Sequence, residues 1–233
     1  MTGRTITSTA AALAAAAVAL AAAPVAGAAA GQTPTNSVVA QAIHASISVY
    51  RSPAGRSRLM TLSNPTPNGS PRVFLVKKRA PGWEQVYLPV RPNGSTGWVR
   101  DADVELSLDP YRVVVARAAH TVTVYRGGSV VRTTKAAVGR AAIPTPTGTY
   151  FLTELLKQPD PNGMLGPYAF TLSAFSNVLY SFGGGPGQIG LHGTNTPGLL
   201  GQDVSHGCIR LPNAAIERLA GILPLGTPVR IAP

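Results

Sequence analysis

One side chain in this sequence is equipped for nucleophilic chemistry and has no duplicate: Cys208, the sole cysteine among 233 residues. It lies in Ser205-His206-Gly207-Cys208-Ile209-Arg210, two residues after one histidine and sixteen after another, His192. A thiol attacks carbonyls as its thiolate, and an ordinary cysteine with a pKa of ~8.5 is only ~3 % ionised at neutral pH. A neighbouring imidazole that takes the proton and stays charged lowers that pKa to ~3.5–7.5. Four histidines could supply that imidazole, namely His44, His120, His192 and His206. His44 falls in a small, polar stretch and His120 in a turn after Ala118-Ala119, so neither is expected at the thiol. In an extended segment His206 and Cys208 share one face. His192 ends an apolar run, and the loop 193–204, with Gly198 and Gly201, has the freedom to fold back on the thiol. Spacing alone admits either histidine as the base. Gly207 allows a tight backbone beside the nucleophile and exposes N–H groups. With the Cys208 N–H these would make an oxyanion hole, worth about 2.7–4 kcal/mol per donor. A zinc site from Cys208, His192 and His206 would lack a fourth ligand and the paired-cysteine spacing, so no metal or other cofactor is expected.

The elements that must position this segment are mostly strands. Residues 112–116, 121–125 and 130–134 are β-rich, with Arg126-Gly127-Gly128-Ser129 as the turn between the last two. Residues 149–156, 168–172, 177–182 and 188–191 continue the pattern, the last leading into His192. Ile143-Pro144-Thr145-Pro146-Thr147-Gly148 reads as a rigid connector. Gly183-Gly184-Gly185-Pro186-Gly187 lacks the Gly-Lys-Ser/Thr ending of a phosphate loop and reads as a flexible loop near the groove. After Cys208, Asn213 is placed to N-cap a helix with the stripe Ile216, Leu219, Ala220 and Leu223, stopped by Pro224 and Gly226. A final strand is expected over 227–231.

Upstream, five short strands within 45–106, separated by turns such as Pro67-Asn68-Gly69 and Arg91-Pro92-Asn93-Gly94, suggest a small barrel. Val49-Tyr50-Arg51-Ser52-Pro53, Gly82-Trp83 with Val86, and Gly97-Trp98-Val99 resemble a bacterial SH3-like domain. Trp83 and Trp98 are read as core packing. Residues 31–44 read as a linker. The start reads as an export signal over 1–30, with Arg4, an Ala-rich stretch from Ala10 to Ala23 and small residues offering cleavage near 28–30. Export to the cell envelope, or to the extracellular or periplasmic side, makes an unpaired cysteine a candidate reactive thiol. The net charge of +11 is spread along the chain without a basic run and does not choose among wall polymer, lipid and nucleic acid; only that charge speaks for a nucleic-acid binder, and nucleic acid is not an expected partner.

The region 111–233 resembles the YkuD-type L,D-transpeptidase catalytic domain. The resemblance rests on His192-Gly193-Thr194, on the run from Ser205 to Arg210, on Val138-Gly139 and Pro144-Thr145-Pro146-Thr147-Gly148, and on the ending Gly226-Thr227-Pro228-Val229-Arg230-Ile231. It implies a mostly β, sandwich-type fold with one or two short helices. It also implies Cys208 as nucleophile and His192 as proton donor and acceptor, oriented by the Gly193 carbonyl. His206 and Gly207 would shape the oxyanion hole and groove, with Ser205 and Arg210 supporting; for Arg210 a substrate carboxylate and a structural hydrogen bond stand equal. The implied reaction is acyl transfer on peptidoglycan stem peptides, giving 3→3 cross-links with release of D-alanine. Water in place of the amine would give carboxypeptidase activity. Carbapenem-type β-lactams are the implied covalent inhibitors. Wall hydrolases of the cysteine peptidase type place the cysteine before its histidine, whereas no histidine follows Cys208. A non-catalytic wall-binding protein would leave the cysteine beside two histidines unexplained.

Overall fold

The structure is a computed structural model that describes residues 1–3 and 36–233. The Ala-rich stretch of the expected export signal and the first part of the expected linker lie outside the described residues.

The segment expected as a linker instead contains a strand, β1 (Ser37–Ala42). Then follow β2 (Ser46–Tyr50), β3 (Arg58–Ser63), β4 (Val73–Ala80), β5 (Trp83–Tyr87), β6 (Thr96–Arg100) and β7 (Val104–Asp109). They form one antiparallel sheet in the order β3-β2-β6-β5-β4-β1-β7. β1 is an inner strand: Val39 pairs with Leu75 on one side and with Ser107 on the other. Its residues are small because the strand is crowded, not because it is loose; Ala40 is fully buried. The sheet therefore has seven strands rather than five and runs from 37 to 109. Its core is Val39, Ile47, Val49, Phe74, Val86 and Val99 with their neighbours.

The second half comprises β8 (Tyr111–Ala116), β9 (Thr121–Arg126), β10 (Ser129–Lys135), β11 (Val138–Gly139), β12 (Gly148–Lys157), β13 (Tyr168–Phe175), β14 (Gln188–His192), β15 (Asp203–Ser205), β16 (Ile209–Arg210), the helix α1 (Asn213–Ala220) and β17 (Pro228–Ala232). Eight of these strands form a mixed sheet in the order β10-β9-β8-β17-β12-β13-β14-β16, and β11 pairs with β15 as a parallel ribbon. Alternation decides which faces are buried: Val113 and Val115 on β8, and Val122 and Val124 on β9, turn inward. α1 covers this core with Ala215, Ile216 and Leu219. Each fully buried large aliphatic side chain in it contributes about 1.5–3 kcal/mol relative to exposure.

β12 is apolar on both faces for a structural reason. Tyr150 and Leu152 pack into the second core, while Phe151 between them is fully buried in the first. Asp109 accepts a buried 2.6 Å hydrogen bond from the Thr227 hydroxyl, and Asn68 donates to the Glu154 carboxylate at 2.8 Å. The two halves thus share a strand face and buried polar contacts.

Two local expectations change, and a third segment gains detail. Residues 177–182 form bends and irregular backbone, with an isolated bridge at Phe182, rather than a strand. Asn213 is the first helical residue and Pro212 the cap, because the Asn213 amide is used elsewhere. The Gly183–Gly184 pair forms a tight turn with φ of 58° and 81°, closed by hydrogen bonds in both directions between Phe182 and Gly185. Two consecutive residues at positive φ suit glycine and match the mirror-image hairpin turn.

Candidate active site

Cys208 sits between β15 and β16, at the edge of the eight-stranded sheet. β16 runs parallel to β14, with Leu191 opposite Ile209 and His192 opposite Arg210. That register sets Cys208 beside Gly190, whose N–H donates to the Cys208 sulfur at 3.3 Å. Gly190 and His192 are two apart on one strand and share a face. A side-chain carbon at Gly190 would lie 3.5 Å from His192 Cδ2 and 3.8 Å from Cys208 Sγ. The glycine therefore leaves the space where imidazole and thiol meet. Nothing in the sequence singles out Gly190, because the partner that makes it important comes from another strand.

His192 is 4 % exposed and its Nδ1 lies 2.7 Å from the Gly193 carbonyl oxygen. A carbonyl only accepts, so Nδ1 carries the proton and Nε2 is the basic nitrogen. Gly193 is held in turn: a side-chain carbon there would collide with Asn213 Oδ1 and lie 2.9 Å from Gly166 Cα. Asn213 Oδ1 accepts the Thr194 N–H at 2.7 Å, which fixes the chain just after the histidine.

The other histidine is turned to a different use. The His206 ring stacks on Phe182, with centroids 4.8 Å apart and planes at 26°. His120 meets Asp203 at 3.0 Å, and exposed His44 lies 3.8 Å from Asp103. Of the four histidines, the structure brings His192 to the space beside the thiol.

Ser205 and Thr145 hold the turn that presents Cys208. The Ser205 hydroxyl donates to the Cys208 carbonyl at 2.6 Å and accepts the Gly207 N–H at 3.1 Å. The fully buried Thr145 hydroxyl donates to the Gly207 carbonyl and accepts the Gly139 N–H, both at 2.8 Å. Gly207 has φ of 112°, a conformation few other residues adopt. Its expected part in an oxyanion hole needs correction, since its N–H is committed to Ser205. Among the described residues, the Cys208 N–H donates to no protein acceptor.

Burial sets the charge state of the pair. It lowers the pKa of His192 to about 4, a drop the Gly193 carbonyl opposes and the Arg210 guanidinium favours. It raises the pKa of Cys208, which the Gly190 N–H and Arg210 pull back down. Geometrically Cys208 is only partly covered, so its sulfur faces both protein and groove. Burial thus works against holding an imidazolium and a thiolate side by side at rest, and so against the ion pair expected from spacing. Arg210 is anchored through its backbone, which exchanges hydrogen bonds with Ala137 at 2.9 and 3.0 Å, while its buried Nε has no partner among the described residues.

In front of the sulfur is an open groove of about 540 Å³ lined by Gln158, Asp160, Met164, Leu165, Phe182 and Cys208 among others. Met164, Leu165 and Phe182 are exposed there, giving an apolar wall opposite the thiol. Among the described residues no cluster of side chains fits a metal ion.

Residues 110–231 match the L,D-transpeptidase catalytic domain of the YkuD type. The chain is 36 % identical over 124 residues to a putative L,D-transpeptidase YkuD of Bacillus licheniformis, covering 53 % of this chain and 67 % of the relative. The counterpart from Bacillus subtilis is 36 % identical over 122 residues, covering 52 % and 66 %. Among solved structures, L,D-transpeptidase 3 from Mycobacterium tuberculosis in complex with a faropenem-derived adduct is similar at 21 % identity, with a TM-score of 0.44, over 62 % of this chain and 76 % of that one. With the matched domain spanning β8 to β17 and enclosing both Cys208 and His192, the chain belongs to the L,D-transpeptidase family.

Proposed function

We propose that this protein is an exported L,D-transpeptidase that joins peptidoglycan stem peptides through a thioester on Cys208. The observation that carries the reading is the meeting of a buried, Gly193-held His192 with the Cys208 sulfur at the mouth of an apolar groove, within the matched domain. The Cys208 proton passes to His192 Nε2 as the sulfur attacks the amide carbonyl after the third stem residue. The Cys208 N–H, which meets no protein acceptor among the described residues, donates to the resulting oxyanion. The tetrahedral species collapses, the C–N bond breaks, and the D-alanine amine leaves with the proton from His192. A neighbouring stem's amine then attacks the thioester and gives a proton to His192. The thiolate leaves and is reprotonated, completing a 3→3 cross-link. Water in place of the amine gives L,D-carboxypeptidase activity by the same thioester.

Arg210, whose Nε has no partner among the described residues, is the candidate contact for a substrate carboxylate. His206 shapes the groove through its stack on Phe182. The N-terminal sheet is read as an SH3-like domain on Val49–Pro53 and the tryptophan motifs, and the signal over 1–30 as cleaved near 28–30. β-Lactams of the carbapenem type are expected to acylate Cys208, since their strained amide is attacked like the donor amide.

One experiment tests the nucleophile and base together. The mature protein is incubated with a carbapenem, then with a tetrapeptide-bearing disaccharide, and products are read by intact mass. Wild type should gain the adduct and release D-alanine; Cys208→Ala should do neither, and His192→Ala should be far slower than His206→Ala. An adduct on folded Cys208→Ala, or none on folded wild type, refutes the nucleophile. Full activity in His192→Ala with loss in His206→Ala refutes the base.

A further inference from the structure

The loop 176–187, which carries Phe182 to the groove, takes its main side-chain anchorage from the other half of the chain. The turn Arg91-Pro92-Asn93-Gly94, between β5 and β6, reaches across to it. The Arg91 guanidinium donates to the carbonyl oxygens of Ser176, Leu179 (3.0 Å) and Pro186 (2.8 Å). It also stacks between two rings, 4.9 Å from Phe175 and 4.6 Å from Tyr180. Asn93 adds a reciprocal pair with the Phe175 backbone, its amide donating to the carbonyl at 2.7 Å and its Oδ1 accepting the N–H at 2.9 Å. Where the loop closes, Gly187 has φ of 71°, and a side-chain carbon there would collide with the Leu179 carbonyl oxygen and lie 3.1 Å from Arg91 Nη2. The backbone is thus folded tightly around the guanidinium.

We propose that Arg91 and Asn93 are positioning residues for the substrate groove: by clamping the base of the 176–187 loop they hold Phe182 against His206 and so set the wall that faces Cys208. Three carbonyls from separate points of a loop need one planar donor with several N–H groups, which arginine alone supplies. Lysine would keep the charge but not the fork. The Cys208 and His192 backbones are fixed by a different set of contacts, through Ser205, Thr145 and the pairing of β14 with β16. Loosening the clamp should therefore weaken binding of a peptide along the groove more than it slows the chemical step.

The test rests, in its kinetic arm, on the groove being the donor-peptide site proposed above, and has a second arm that does not. In full-length Arg91→Ala, amide hydrogen exchange over 177–186 should rise about tenfold while β12 to β14 keep wild-type protection. KM for a tetrapeptide donor should rise about tenfold with kcat within about twofold, and Arg91→Lys should resemble Arg91→Ala. In the double variant with Phe182→Ala, KM should be no worse than in the worse single variant, because both changes release the same wall. The independent arm measures alkylation of Cys208 by a bulky maleimide against small iodoacetamide. The bulky-to-small rate ratio should change about fivefold in Arg91→Ala whether or not the peptide is a substrate. Unchanged exchange over the loop, an unchanged alkylation ratio, or multiplying KM effects in the double variant would each overturn the proposal. Failure of wild type to use the peptide, with the ratio still changed, would refute the substrate and leave the clamp standing.

Discussion

Gly190→Ala should separate stability from catalysis at this site. The added methyl would lie 3.5 Å from His192 Cδ2, 3.5 Å from the Phe170 carbonyl oxygen and 3.8 Å from Cys208 Sγ. All three are ordinary contact distances, and Gly190 is not among the residues at positive φ. The backbone has no reason to move. Replacing glycine by alanine where the conformation allows it stabilises a protein by about 0.4–1 kcal/mol, through the unfolded chain. The same methyl touches both members of the pair and takes the space where, in the mechanism proposed above, the proton crosses and the reacting carbonyl sits. Positioned acid–base catalysis is worth about 10²–10⁴ in rate, or about 3–5 kcal/mol of barrier. The variant should therefore melt no lower than wild type yet be acylated by a carbapenem at least about a hundred times more slowly. Paired thermal unfolding and time-resolved intact mass measure both. A folded variant acylated within about threefold of wild type would refute the geometry assigned to the pair. Gly193→Ala supplies the contrast: its methyl would collide with Asn213 Oδ1 and lie 2.9 Å from Gly166 Cα, so stability and activity should fall together.

Two further expectations concern buried polar groups. The folded pKa of His192 is depressed from 6.5 to about 4, so its contribution to stability is present above about pH 6.5 and is lost as the pH falls toward 4. The shift corresponds to about 3 kcal/mol, which denaturant midpoints between pH 7 and 4 should register in wild type and largely lose in His192→Gln; equal slopes in the two proteins would refute it. Thr145→Val keeps the shape but strands the Gly139 N–H and the Gly207 carbonyl, at about 1–3 kcal/mol for each buried group left unpaired. A loss under about 0.5 kcal/mol in chemical unfolding would show that water replaces the hydroxyl.

Much of the second half was legible because its strands are local patterns. Alternation at Val113 and Val115, and at Val122 and Val124, marks buried faces without knowledge of any partner. The turn glycines and the helix stripe ending at Pro224 are equally local. β1 was not legible, because Ser37-Val38-Val39-Ala40 has the small side chains of a linker and gains its meaning from β4 and β7 on either side. The site divides in the same way. Cys208, His206 and Ser205 are neighbours in the chain and could be grouped by inspection. The choice of His192 came from resemblance, and the role of Gly190 depends on the parallel register of β14 with β16. Arg91 was unreadable for a stronger reason, as it lies 85 residues before its first acceptor, in a loop of the other half.

The charge state of the thiol is where chain-level chemistry and three-dimensional environment diverge most. An imidazole near a cysteine activates it as an ion pair only if the site solvates two charges, and burial here opposes both. Arg210 tips the balance in one direction. Its positive charge favours a proton leaving Cys208 and disfavours a proton arriving on His192. A cation so placed does nothing for a resting ion pair as a whole, since it helps one member and hinders the other. It does help any state in which negative charge outweighs positive near the sulfur, and an anionic tetrahedral intermediate is such a state. The burial of the pair and the Arg210 Nε, unpartnered among the described residues, therefore suit the anionic intermediate of the reaction proposed above better than an ion pair held beforehand.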